Sequence, residues 1–163
     1  MRPNRDTWAL QLAMVTARRA TCCRRQVGCV LVNSRGHVVA TGYNGVAAGQ
    51  PHCNDELAYD VDADYTQPVK LYPNACLGAK AASGTNLDAC QAIHAEQNAL
   101  LQCRDVYSVE TCYVTASPCV TCTKLLLNTA CQRVVFVEEY PQPEARSLWT
   151  AAGRSWEQVQ VSL

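Results

Sequence analysis

No run of about 18 consecutive apolar residues occurs in this 163-residue chain, so a membrane-spanning helix is not expected. Net charge is also missing, because 14 basic and 14 acidic residues cancel. A generic nucleic-acid binder carries a basic excess, and its absence argues against that class. The N-terminal stretch MRPNRDTWALQLAMV lacks the apolar centre of a signal peptide, since Asp6 and Gln11 interrupt it. No internal repeat or low-complexity tract stands out. The expectation is one domain over residues 1–163, cytoplasmic, with no membrane and no nucleic acid as partner.

Cysteine, by contrast, is abundant, with 11 residues. Without a secretory signal a disulfide framework is not expected, and metal ligands or buried thiols are the better reading. Cys29, Cys112 and Cys131 lie in or beside apolar stretches and are read as small core residues.

Chemistry concentrates in two clusters, His94-Ala95-Glu96 and Pro118-Cys119-Val120-Thr121-Cys122. One imidazole and two thiols make a three-ligand zinc site that leaves a fourth tetrahedral position for water. Both clusters fall at predicted helix N-termini, where free N–H groups and the helix dipole favour thiolate over thiol. Together they match the H-x-E…P-C-x-x-C signature of zinc nucleobase deaminases. In that reading Glu96 takes a proton from the water that zinc activates and delivers it to N3 of a cytosine ring. Attack at C4 follows, and Glu96 then helps protonate the departing amine. A purely structural site would need a fourth protein ligand, which the motif does not supply.

Along the chain, residues 5–20 place Trp8, Leu12, Val15 and Arg19 at helical spacing. They predict a helix capped by Asp6, with Trp8, Leu12 and Val15 toward the core. Residues 26–32 and 37–41 read as a hairpin around Asn33-Ser34-Arg35-Gly36. Residues 45–90 form a loop-rich insertion with little periodicity, which short helices or some other tie must hold. Cys22, Cys53, Cys76 and Cys90 offer such a tie as a second, closed zinc site, with His52 as a substitute ligand. Reduced loop thiols are the alternative. Helices over 93–103, 119–129 and 144–152 alternate with strands over 111–116, 133–137 and 159–161. That alternation predicts an α/β domain whose mixed sheet is covered by helices.

Further segments narrow the family. Thr21-Cys22, Arg24-Arg25-Gln26-Val27-Gly28, Thr41-Gly42-Tyr43-Asn44-Gly45, Pro51-His52-Cys53, Cys90, Ile93 through Ala99, Tyr113-Val114-Thr115 and Ser117-Pro118-Cys119 run in order over residues 8–155. In these the chain resembles the deoxycytidylate (dCMP) deaminases of the bacterial and phage type. The resemblance implies a cytidine-deaminase-like three-layer sandwich with a five-stranded mixed sheet. It implies zinc-dependent conversion of dCMP and water to dUMP and ammonia, supplying thymidylate synthesis. It also implies a homo-oligomer, commonly a hexamer, activated by dCTP and inhibited by dTTP, and a second zinc in the insertion. Asn44 would reach the substrate sugar, and Gly42, Tyr43, Asn44 and Gly45 would lie near the effector.

Val27, Gly28 and Ala95 are candidate walls for the flat base, with plain strand core as the other reading for Val27 and Gly28. For the phosphate, the candidates are Arg24 with its neighbours Arg25, Arg18 and Arg19, and also Ser117 and Tyr140. A solvated helix end, a helix cap and packing are the respective alternatives. Competing functions are deamination of a 5-substituted dCMP or another cytosine nucleotide, and a non-catalytic zinc module on the same fold.

Overall fold

The computed structural model describes residues 2–55 and 74–163. The predicted insertion over 45–90 therefore lies partly outside the described residues, at 56–73. The first helix, α1 (Arg5–Ala17), is followed by a hairpin of β1 (Gly28–Asn33) and β2 (Val38–Tyr43). In its turn, Asn33 Oδ1 accepts the N–H groups of Arg35 (3.1 Å) and His37 (2.9 Å), and Gly36 takes φ 82°. A short ladder joins β3 (Gly45–Val46) to β4 (Ala92–Ile93). Then come α2 (Ala95–Gln102), β5 (Val109–Ala116), α3 (Val120–Leu127), β6 (Arg133–Glu138), α4 (Pro143–Ala151) and β7 (Ser155–Gln158). In the described part of the insertion the regular structure is β3 at its start and a 3₁₀ turn, Leu87–Ala89.

The main sheet has five strands in the order β2-β1-β5-β6-β7. β1 runs antiparallel to β2 and β5, whereas β5, β6 and β7 are parallel, joined by α3 and α4. This is the expected mixed sheet between helices. Because strand side chains alternate between faces, the apolar runs of β1, β5 and β6 serve two cores. Cys29, Leu31, Cys112, Val114, Val134 and Phe136 pack with residues of α2, α3 and α4. Val30, Val32, Tyr113 and Val135 pack on Ala9, Leu10 and Ala13 of α1. Cys29, Cys112 and Cys131 are fully buried, as expected.

Three details differ from the sequence reading. Trp8 and Val15 do not face the core: they are 38% and 51% exposed, and the inner face of α1 is Ala9, Leu10, Ala13 and Ala17. A Cβ on Gly28 would lie 2.0 Å from the carbonyl oxygen of Ala13, so helix and strand approach to backbone contact and only small residues fit between them. The cap of α1 is Asn4, whose Oδ1 accepts the N–H of Thr7 at 2.8 Å. Asp6 instead accepts from Tyr113 Oη (2.6 Å) and Arg133. The last strand is Ser155–Gln158 rather than 159–161, since Trp156 completes an aromatic group with Phe136 and Trp149 beside β6.

The antiparallel pairing of β1 with β5 brings the start of β1 and the ends of β2, β5 and β6 to one sheet edge. Gly28 sits opposite Tyr43, Cys29 opposite Val114, and Ala116 opposite Glu138. Loops leaving the carboxyl ends of parallel strands are where open α/β sheets bind ligands.

Candidate metal centre and active-site cleft

At that edge two helices start side by side. His94 is the N-cap of α2, and its N–H donates to Gln97 Oε1 at 2.8 Å, half of a capping box. Cys119 is the N-cap of α3, and the N–H of Cys122 points at its sulfur at 3.5 Å. The next free N–H of α3, on Val120, donates to Gln142 Oε1 at 3.0 Å. His94 Nδ1 lies 3.5 Å from Cys119 Sγ and 3.4 Å from Cys122 Sγ. Tetrahedral zinc, with sulfur at ~2.3 Å and nitrogen at ~2.0 Å, separates such atoms by about 3.5 Å, so the donor set fits the ion. Among the described residues it is the one group of three metal-ligating side chains whose ligand atoms all lie within 4.8 Å of one another.

The electrostatics suit a cation. A hydrogen bond from the Cys122 thiol, aided by His94, pushes Cys119 down to about 4. Donating that bond, together with burial, pushes Cys122 up. The imidazole of His94 is raised by its hydrogen bond with Cys119. Two sulfurs and a nitrogen thus share protons that a divalent ion would displace. Glu96, in the first turn of α2, is 4% exposed, and burial lifts its carboxyl to about 7 against the opposing pull of His94. A carboxyl that gains and loses a proton near neutrality is suited to proton transfer.

His94, Glu96 and Cys119 line a cleft of about 520 Å³, its open mouth included. Its walls include Val27, Ala92, Ala95 and Ala116, and Arg24, Arg25, Ser83, Asn44, Ser117 and Tyr140 also line it. The amide of Asn44 clamps the strand entry, accepting from Val27 N and donating to the Arg25 carbonyl, both at 2.8 Å. Ser117 Oγ accepts the N–H of Tyr140 at 2.8 Å and so fixes that loop to the cysteine turn. Gly28 has its N–H 3.2 Å from Thr115 Oγ1 and its Cα face against α1. Gly42 faces α2: a Cβ there would stand 2.2 Å from the carbonyl oxygen of Ala95. A Cβ on Gly45 would lie 2.4 Å from Thr21 Oγ1. The carbonyl of Tyr43 accepts from Asn98 Nδ2 at 2.8 Å, and its ring stands at the surface.

Arg24 is turned toward the insertion, where its Nη1 donates to the carbonyls of Gly78 and of Thr85 (3.1 Å). It supplies a tie for the insertion that the sequence did not reveal. Cys22, Cys53 and Cys76 are buried and Cys90 is half-buried. Cys53 and Cys76 lie close enough to shift one another's thiols. Burial pushes the Cys90 thiol up, with the nearby charges of Cys76 and Cys22 adding to it. The four are neighbours, but no three of them meet the 4.8 Å spacing of the His94 group. Sequence reasoning missed Glu138 and Ser83, whose partner Arg25 lies 113 and 58 residues away. It also missed Gln142. The capping role of Gln97 was legible as a polar residue three places after a helix start.

A model of the cytidine and deoxycytidylate deaminase zinc-binding region matches residues 3–138. The deoxycytidylate deaminase of Schizosaccharomyces pombe is 33% identical over 157 residues, which is 93% of this chain and 43% of the yeast protein. The chain likewise spans 41% of the Saccharomyces cerevisiae relative, so it is less than half the length of both yeast proteins. The deoxycytidylate deaminase of Mycobacterium phage D29 is 35% identical over 139 residues, which is 85% of this chain and 98% of the phage protein. The fold is similar to that of the dCMP deaminase of cyanophage S-TIM5, solved in complex with dCMP and dUMP. The TM-score is 0.69 at 21% identity, over 98% of this chain and 99% of that one.

Proposed function

The chain belongs to the family of the cytidine and deoxycytidylate deaminase zinc-binding region, and on that premise we propose that it hydrolyses dCMP to dUMP and ammonia. The observation that carries this reading is the buried Glu96 beside the His94, Cys119 and Cys122 donors, in one cleft with two arginines. The names of the yeast and phage relatives support the choice of dCMP.

His94, Cys119 and Cys122 would hold Zn²⁺, which would supply Lewis acidity for ionising water near neutral pH. Glu96 accepts the proton of the attacking water and passes it to ring N3. The C4–O bond forms, Glu96 then takes the remaining hydroxyl proton and gives it to the amino group, and the C4–N bond breaks as the C4 carbonyl forms, with loss of ammonia. Val27 and Ala95 flank the flat ring, with Gly28 behind Val27. Asn44 meets the sugar, and Ser117 and Tyr140 serve the phosphate end, while Arg24 holds the insertion beside them.

The same reading assigns dCTP and dTTP as activator and inhibitor, with Gly42, Tyr43, Asn44 and Gly45 as contacts. It places the enzyme in a cytoplasm (the host's, if the protein is viral), as a homohexamer feeding thymidylate synthesis. The effector assignment rests on the Gly-Tyr-Asn-Gly segment. The exposed Trp8 and Val15 on α1 and Leu101 on α2 support an assembly. A second zinc at Cys22, Cys53, Cys76 and Cys90 draws support from their burial and proximity.

Zinc-loaded protein is to be incubated with dCMP, CMP, dCTP, 5-methyl-dCMP and cytidine while ammonia is measured. dCMP should be the best substrate, and the absence of turnover with every compound would overturn the proposal. Metal analysis should give two zinc ions per chain, falling to one in Cys53→Ser/Cys76→Ser. A single ion, unchanged in that variant, rules out the second site.

A further inference from the structure

The two arginines before β1 do different work. Arg24 is bonded to carbonyls of the insertion. Arg25 spans the cleft mouth: its Nη2 donates to Glu138 Oε2 at 2.6 Å and its Nη1 to Ser83 Oγ at 3.2 Å. Its guanidinium carbon stands 5.5 Å from the centre of the Tyr140 ring. The Arg25 carbonyl is clamped by Asn44 after β2, and the Glu138 carbonyl accepts from Ser117 N at 2.9 Å beside the cysteine turn, so both backbones are fixed. Yet the ion pair is lopsided: the Arg25 side chain is 24% exposed and that of Glu138 66%. A carboxylate that exposed contributes little to stability and is easily exchanged. A phosphomonoester brings more charge and three acceptor oxygens, which suit a guanidinium better.

We propose that the Arg25–Glu138 pair is a latch for phosphate recognition: the substrate's 5′-phosphate takes Arg25 from Glu138, so the site selects a nucleoside monophosphate over a nucleoside. This deepens the deaminase reading above and rests on it for the identity of the substrate. Tyr140 keeps the guanidinium in place during the exchange, since its ring attracts the cation whichever anion faces it. Glu138 has a second partner to turn to, because Arg18 lines the cavity on the far side of the pair together with Arg25 and Glu138. A nucleoside offers nothing to open the latch and meets the pair still closed across the mouth.

The test compares the zinc-loaded protein with Arg25→Gln, Arg25→Lys and Glu138→Gln. It measures KM and kcat for dCMP and deoxycytidine, and Kd for dUMP and deoxyuridine by calorimetry. Arg25→Gln should raise the dCMP KM and the dUMP Kd at least about tenfold, the effect of losing a charged hydrogen-bonding group, and more than it affects the unphosphorylated ligands. Arg25→Lys should fall between, keeping the charge but not the two-pronged geometry. Glu138→Gln should tighten dUMP by about threefold, because no full charge then competes for Arg25. Equal losses for phosphorylated and unphosphorylated ligands in Arg25→Gln would overturn the latch and leave a wall. An unchanged or weakened dUMP Kd in Glu138→Gln would overturn the exchange. If the wild type deaminates nothing but the dUMP pattern holds, the deaminase reading fails and the latch stands.

Discussion

Glu96 owes its proposed role to two features of one turn: it follows a ligand by two residues, and α2 begins at that ligand. Its carboxyl, lifted to about 7 by burial, sits beside donors spaced for zinc. Glu96→Gln keeps the size and removes the proton carrier. Turnover should fall by roughly 10²–10⁴-fold, the usual contribution of a positioned acid–base group, while zinc content stays the same. Cys119→Ser should instead lose the metal, which plasma emission analysis of the purified protein would show directly. Both residues were legible in the sequence because each ligand cluster is local, closed within a helix start. Arg25 was visible only as one member of a basic cluster. Its partners Glu138 and Ser83 carry no local signal, since folding alone brings together positions 113 and 58 residues apart.

The helices are positioned by glycines in the strands beneath them. Gly42 stands under the first turn of α2, and a Cβ there would fall 2.2 Å from Ala95 O and 2.4 Å from Ala99 N, both backbone atoms that cannot swing aside. Gly42→Ala should therefore cost about 1–3 kcal/mol, as overpacking does, and displace the turn that carries Glu96. Calorimetry should show a lower Tm, and kcat should fall even at saturating dCMP; an unaltered kcat would mean that this contact does not position Glu96. The same close approach explains the misread face of α1. Hydrophobic periodicity favours Trp8, Leu12 and Val15. The backbone of β1 at Gly28 admits only Ala13 and Ala17, so Trp8 and Val15 turn outward, whereas Leu12 packs against the core as expected.

In the cytidine-deaminase-like sandwich formed here, one polar cluster ties the N-terminal helix to the far strands. Asp6 of α1 accepts from Tyr113 of β5 and Arg133 of β6, and Arg133 also pairs with Glu157 of β7 at 2.7 Å. Burial raises the Asp6 carboxyl, but the hydrogen bonds from Arg133 and Tyr113 outweigh it and hold it below its ordinary 3.8. The hydrogen bond from Arg133 holds Glu157 below its ordinary 4.5. Folded values below unfolded ones mean stability that is complete above the ordinary values and lost as pH falls through the depressed ones. Asp6→Asn should cost about 1 kcal/mol at neutral pH, a figure discounted for partial exposure. The difference from wild type, followed by urea unfolding across pH, should stay level down to pH 4.5 and shrink below pH 3.8. A difference that grows on acidification would show that Asp6 does not act as a paired carboxylate.

What the sequence determined by itself is the chemistry. The candidate ligands, their spacing and the proposed proton carrier lie within short segments whose geometry follows from helix starts, and the alternation of strands and helices is enough to specify a mixed sheet between layers. What only the tertiary structure decided is which side chains meet across that sheet. The register of β1 against β5 gathers the cleft, Gly28 and Gly42 select the inward helix faces, and the close of β6 delivers Glu138 to Arg25. Those contacts depend on long-range packing, which leaves no periodic trace along the chain. The metal centre was therefore readable in advance, and the latch at its mouth was not.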